Sequence, residues 1–121
     1  HQGCVTTTLG VSDASLIAGV SDAVYFSKCD GDASISFTTV KDSTATTTDT
    51  GSDMVNDTNV RLGFYFDGAG TIKAYVDGVL KATHTTNIPD DELLCESFAV
   101  QSGEAAIKRL YIDFYRIAQF R

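Results

Sequence analysis

Hydrophobic and polar side chains alternate along three consecutive short runs near the middle of the chain. These runs are residues 61–66, 71–76 and 79–84. Alternation with a period of two is typical of a β-strand that buries one face. Asp77 and Gly78 alone separate the last two runs. This dipeptide predicts a type I′ turn, because both central residues of that turn need a positive φ. The pattern therefore predicts a three-stranded antiparallel meander.

Short runs rich in β-branched and aromatic residues recur outside the meander. They are residues 5–9, 24–29, 34–40 and 98–101. In the third of these, Ile35 and Phe37 are predicted to face the core. Residues 41–50 are rich in threonine, which predicts an edge or solvent-facing strand. Residues 51–59 collect Gly, Ser, Asp and Asn and predict a loop. No run has strong helical periodicity, so the chain is predicted to be all-β and antiparallel, with two packed sheets.

The apolar run at residues 107–120 can be interpreted in two ways. As a helix it would place apolar groups on most of its faces. As a strand it would turn Leu110, Ile112 and Phe114 toward the core, and a shift in phase or a bulge near Tyr115 would turn Ile117 inward as well. We predict a closing strand here.

Composition and charge narrow the class of protein. A length of 121 residues is typical of one domain. A net charge of −7 disfavours both nucleic acid and anionic membranes as partners. No apolar run approaches the roughly 20 residues that span a bilayer. Since strand-like sequence begins directly after His1, we expect this single domain, residues 1–121, to be the C-terminal part of a longer polypeptide.

The three cysteines, Cys4, Cys29 and Cys95, have no metal-binding spacing such as C-x-x-C. Their odd number argues against a disulfide framework, so we predict reduced, semi-buried residues. One disulfide with a leftover thiol is the alternative.

Residues 62–121 resemble the C-terminal half of a concanavalin A-like lectin/glucanase (laminin-G-like) jelly roll. The phrases that carry the resemblance are YVDGV at residues 75–79 and YIDFYRI at residues 111–117. The resemblance implies an antiparallel two-sheet jelly-roll sandwich.

Three further stretches make the chain similar to jelly-roll domains in virion proteins of tailed bacteriophages: residues 19–31, the loop at residues 87–92 and the terminal residues 119–121. That resemblance implies a non-enzymatic structural protein, either capsid decoration (cement) or tail-associated. Its partners would be other virion proteins or copies of itself. It would be located in the virion, assembled in the host cytoplasm.

Glucanases of this superfamily carry a Glu-x-Asp-x-x-Glu motif on one strand, and retaining hydrolysis needs two carboxyls about 5–5.5 Å apart. No predicted strand here has that spacing, and Asp113 is alone on its strand. We therefore predict that the protein is not an enzyme and has no catalytic residues.

A carbohydrate-binding, lectin-like module that recognises surface glycans is the alternative function. Without tryptophan, the aromatic platform would have to come from Tyr65, Tyr75, Tyr111 and Tyr115. For each of these tyrosines, packing in the core or at an interface is the competing role.

Calcium is the one cofactor for which the acidic residues of this chain could supply ligands, because calcium prefers several oxygen ligands from loops. The weak candidates for ligands are Asp30, Asp32, Asp90 and Asp91. Neither pair has an EF-hand-like spacing, so we predict no metal and no other cofactor. His84 lies at the end of a predicted strand and is interpreted as a residue of the sheet.

Overall fold

The computed structural model describes residues 5–10, 19–29, 31–55, 57–100, 107 and 109–118. These residues form eight β-strands and no helix. The strands are β1 (Val5–Gly10), β2 (Ala23–Lys28), β3 (Ser36–Lys41), β4 (Thr44–Asp49), β5 (Leu62–Phe66), β6 (Ile72–Val76), β7 (Val79–His84) and β8 (Cys95–Val100). In this part of the chain, no helix is present that could cross a membrane.

The strands form two antiparallel sheets. The large sheet has the order β4-β3-β2-β1-β8, and the small sheet has the order β5-β6-β7. Every pairing in both sheets is antiparallel. The all-β, antiparallel, two-sheet prediction is therefore confirmed. The connection from β1 to β2 lies outside the described residues, and the jelly-roll connectivity stays a prediction.

The small sheet is the meander that the sequence predicts. Asp77 and Gly78 have φ angles of 51° and 81°, so both central residues of the β6–β7 turn have the positive φ of a type I′ turn. Pairing shifts register between Ala74 and Tyr75, and the shift leaves Lys81 as an extra residue on β7. This bulge turns His84 toward the large sheet.

Gly78→Ala is expected to destabilise the protein by about 1 kcal/mol, because an alanine side chain is strained at a positive φ. Gly63→Ala is the matched control. Gly63 has no positive φ, and an added Cβ meets nothing within 4 Å, so its effect should be neutral or slightly stabilising. Urea unfolding of the two variants measures the difference. Equal effects would show that the turn conformation does not limit stability.

The core lies between the two sheets and is centred on Phe37 of β3. The Phe37 ring lies 4.9 Å from that of Phe26 and 6.2 Å from that of Phe64, centroid to centroid. Ile35 and Phe37 are fully buried, as the alternation in β3 predicts. The small sheet contributes the buried residues Ile72, Ala74, Val76 and Ala82.

The prediction of a closing strand at residues 107–120 is wrong for the residues that the structure describes. Residues 107 and 109–118 belong to no strand. Phe114, predicted to face the core, is 71% exposed, and Ile112 is also exposed. The alternation of apolar residues in this segment is strand-like, but a strand forms only where a neighbouring strand satisfies its backbone groups.

The prediction of reduced cysteines is wrong for Cys29, which is disulfide-bonded. An odd number of cysteines is compatible with one disulfide, which is the alternative that the sequence allows. Cys95 is exposed at the start of β8 rather than packed as a small apolar residue. Cys4 lies outside the described residues.

Candidate functional site

The inner face of the large sheet extends beyond the small sheet. His84 on β7 bonds with Thr39 on β3 and with Thr48 on β4, so β7 lies over that side of the five-stranded sheet. On the other side of the sheet, Phe26 of β2 and Phe98 of β8 both lie opposite Thr7 of β1. Phe98 therefore points to the same side as the core residues. Phe98 and Val100 are 38% and 40% exposed; we call these two side chains the open inner face.

The C-terminal segment, residues 109–118, lies beside the open inner face. The ring of Tyr115 is 5.7 Å from that of Phe98, with the planes tilted by 59°. Most of the large apolar side chains of this segment remain in contact with water: Tyr111, Ile112, Phe114, Tyr115 and Ile117 are all exposed. Contiguous exposed apolar side chains mark interaction sites in soluble proteins. The segment and the open inner face together form such a surface.

A second surface is the outer face of the small sheet. Tyr65 pairs with Lys73 across β5 and β6, and Gly63 pairs with Tyr75. Because facing residues of an antiparallel pair lie on the same side of the sheet, these four residues share one face. Tyr65 is exposed, and Tyr75 is half-buried beside the open space over Gly63. This face offers aromatic rings and an ammonium group.

The four predicted tyrosines therefore divide between two surfaces. Tyr65 and Tyr75 share the outer face of the small sheet. Tyr111 and Tyr115 lie in the C-terminal segment, where Arg109 donates a long hydrogen bond of 3.5 Å to the Tyr111 hydroxyl. They do not form a single aromatic platform.

The acidic candidates for calcium binding are engaged by groups of the protein itself. The Lys41 ammonium lies 2.6 Å from Asp90 Oδ1 and 3.1 Å from Asp91 Oδ1. Its hydrogen bond lowers the pKa of Asp90, and the same bond is the main reason that the pKa of Lys41 is raised. The Lys41 ammonium group therefore already occupies the position between these two carboxylates.

Asp32 has a different local role, since its Oδ2 accepts a hydrogen bond from the backbone N–H of Cys29 at 3.1 Å. Asp30 lies outside the described residues. Among the residues that are described, no group of three or more His, Cys, Asp and Glu side chains is arranged to hold a metal ion.

His84 links the two sheets in a way that sequence reasoning missed. It is 3% exposed, its Nδ1 lies 2.9 Å from Thr39 Oγ1, and its Nε2 lies 2.9 Å from Thr48 Oγ1. Thr39 also donates to the Thr86 carbonyl at 3.2 Å, so Thr39 accepts from Nδ1–H and Thr48 donates to Nε2. Burial lowers the pKa of His84. The neutral ring joins the two sheets through these two hydroxyl groups, and its hydrogen-bond partners among the described residues include no carboxylate.

The fold and these surfaces define a small antiparallel β-sandwich domain with an exposed apolar C-terminal segment. The chain matches the family model of the SO2946-like, C-terminal domain over residues 2–113. It therefore belongs to that family. No curated protein and no solved structure matches the chain.

Proposed function

We propose that this domain is a non-enzymatic structural protein that acts through protein–protein contacts. In line with the resemblance of its sequence, we place it in the virion of a tailed bacteriophage, as a capsid decoration (cement) protein or a tail-associated component. The observation that carries the proposal is the exposed apolar surface formed by the C-terminal segment and the open inner face. Exposure of so many large apolar groups is unfavourable in water, and a protein partner would remove them from it.

The surroundings of the described carboxylates support a structural role rather than hydrolysis. Asp67 Oδ1 accepts hydrogen bonds from Ala69 N–H and Thr71 N–H at 2.8 and 2.9 Å, and these bonds lower the pKa of Asp67. Asp77 Oδ1 accepts from Arg61 N–H at 2.9 Å. Carboxylates held in this way build turns, whereas a glycosidase needs one carboxyl with a raised pKa beside a second one.

The proposal is tested by isolating assembled particles from the producing cells on a density gradient. We expect the wild-type chain to co-sediment with the particles. Phe114→Ser and Ile117→Ser should reduce the bound amount about tenfold, the loss expected for a central apolar anchor. Val55→Ser is the matched control, because Val55 is an apolar side chain that is 61% exposed in the loop after β4. A chain that stays in the soluble fraction, or that binds equally well in all variants, would contradict the proposal.

A carbohydrate-binding module is the second candidate, favoured by the outer face of the small sheet. Tyr65 and Tyr75 could stack on the apolar faces of sugar rings, and Lys73 could donate to hydroxyl groups. A glycan array with the wild-type protein is the first measurement. If a glycan binds, Tyr65→Ala and Tyr75→Ala should each weaken binding about tenfold, whereas Tyr111→Ala, at an exposed tyrosine of the other surface, should not. An array without binding would remove this candidate.

A further inference from the structure

The small sheet stops short of the open inner face. β7 lies over β3 and β4, and β5 is the strand of the small sheet farthest from β7. Val24 and Phe26 of β2 are buried in one core with residues of β6, so the small sheet extends from β7 toward β2, and β5 is its outer strand on that side. A further strand beside β5 would lie over β1 and β8. It would cover Phe98 and Val100, which are otherwise partly exposed to water.

β5 has a free edge among the described strands. It pairs with β6 on one side and ends the small sheet on the other. Tyr65 and Phe66 on this strand are both exposed. An edge strand offers unpaired N–H and C=O groups, and these are a template to which an extended peptide can add.

The C-terminal segment has the properties expected of a further strand beside β5. It alternates apolar and polar residues over residues 110–114, it is in no strand, and its apolar side chains are exposed. The contact of Tyr115 with Phe98 shows that an aromatic ring of this segment fits against the open inner face.

The C-terminal end of the chain and the rest of the chain carry complementary charges. Residues 107–121, which include the C-terminal segment, contain four of the nine Lys and Arg residues and one of the sixteen acidic residues; Arg109, Arg116 and Asp113 lie in the segment itself. The rest of the chain is therefore strongly acidic, and Asp67 follows directly at the end of β5. A basic strand that approaches this edge is attracted to it.

We propose that the C-terminal segment of one copy of this chain adds as a strand to β5 of a second copy and covers the open inner face of that copy. This inference rests on the proposed function and names the partner. Reciprocal exchange in a two-fold symmetric dimer covers both apolar surfaces of both copies with one type of contact. Within one copy the segment forms no strand and leaves Phe114 and Ile117 exposed, and this favours a second copy as the occupant.

The test combines the oligomeric state with hydrogen exchange. Sedimentation of the wild-type chain should show a concentration-dependent dimer that weakens as salt screens the charges. Ile112→Pro should shift the protein to monomer, because proline removes a backbone donor and is not tolerated inside a paired strand. Ile112→Val keeps a β-branched apolar residue and should preserve the dimer. In the dimer the β5 amides should exchange more slowly than in the proline variant, while the β6 and β7 amides should exchange equally in both and report that the fold is intact.

Three results would overturn the inference. The first is a wild-type monomer at all concentrations, whether or not its β5 amides are protected. The second is a dimer that Ile112→Pro leaves unchanged, since the dimer would then form through another surface. The third is a proline-sensitive dimer in which β5 exchange is the same as in the monomer.

The particle experiment separates this inference from the proposed function. A monomeric wild-type chain that still co-sediments with particles would refute strand addition and leave the structural role in place. A proline-sensitive dimer that is absent from particles would refute the virion setting and leave strand addition in place.

Discussion

Replacing Phe37 with alanine is expected to lower the free energy of unfolding by about 3–5 kcal/mol, the cost typical of truncating a buried aromatic residue. Phe37 is fully buried, and its ring contacts Phe26 of the large sheet, Phe64 of the small sheet and the imidazole of His84. The contacts come from both sheets, so the cavity would open at the centre of the sandwich, where neither sheet can easily close it. Urea unfolding followed by circular dichroism measures the loss.

Two matched variants show whether the position of Phe37 causes the effect. Phe37→Leu keeps most of the apolar volume and should cost about 1–2 kcal/mol. Phe98→Ala removes the same side chain from the open inner face, where it is 38% exposed, and should cost less than Phe37→Ala. If Phe98→Ala proves equally destabilising, the centre of the core is not where the structure places it.

The parts of the fold that the sequence predicts well are those defined by local signals. Asp77 and Gly78 define a turn by their own backbone preferences, and the strands on either side are paired through that turn. The threonine-rich run is correctly predicted as an edge strand, since β4 ends the large sheet. Its hydroxyls pair within the sheet and with the loop after β7, as in the Thr38–Thr47 and Thr46–Thr86 contacts of 2.9 and 3.0 Å.

The parts that the sequence does not predict depend on contacts between distant residues. β8 lies beside β1, although some ninety residues separate their positions in the chain. The C-terminal segment was predicted as a strand because alternation indicates which side chains share a face. Alternation does not indicate whether a partner strand is present. Within one copy, this segment pairs with none of the described strands.

The candidate site was predictable only in its residue types. The sequence names Tyr65, Tyr75, Tyr111 and Tyr115 as candidates for an aromatic platform, with packing in the core or at an interface as the other role of each; in the structure each lies at least partly in contact with solvent. Their division between two surfaces follows from sheet pairing, which a single sequence does not reveal. The role of Lys41 also depends on pairing, because its contact with Asp90 joins residues 49 positions apart.

Replacing His84 with leucine is expected to lower the free energy of unfolding by about 2–4 kcal/mol at neutral pH. Leucine would leave the hydroxyls of Thr39 and Thr48 without their imidazole partner between the sheets, and an unsatisfied buried hydroxyl costs about 1–3 kcal/mol. Thr39 is fully buried and Thr48 is half-buried, so the larger share of the loss should come from Thr39, although Thr39 keeps its bond to the Thr86 carbonyl. His84→Gln, which retains a donor and an acceptor, should recover part of the loss, and the same urea titration measures all three proteins.

The same imidazole should make stability depend on pH in a defined range. Burial lowers the pKa of His84 below its ordinary value of 6.5, so the folded state keeps the ring neutral while the unfolded state takes up a proton near pH 6.5. Stability is therefore complete above pH 6.5 and decreases as the pH falls through 6.5 toward the lowered pKa of the folded state. The pKa values of Asp49, Asp67 and Asp90 are lowered from 3.8, so these carboxylates contribute to the pH dependence of stability only at more acidic pH.

We expect the wild-type protein to lose more stability between pH 7.5 and 5.5 than His84→Gln does, because every other ionisable group is common to the two proteins. Equal losses would mean that His84 is protonated as easily in the folded state as in the unfolded state, which is incompatible with a neutral imidazole buried between the sheets.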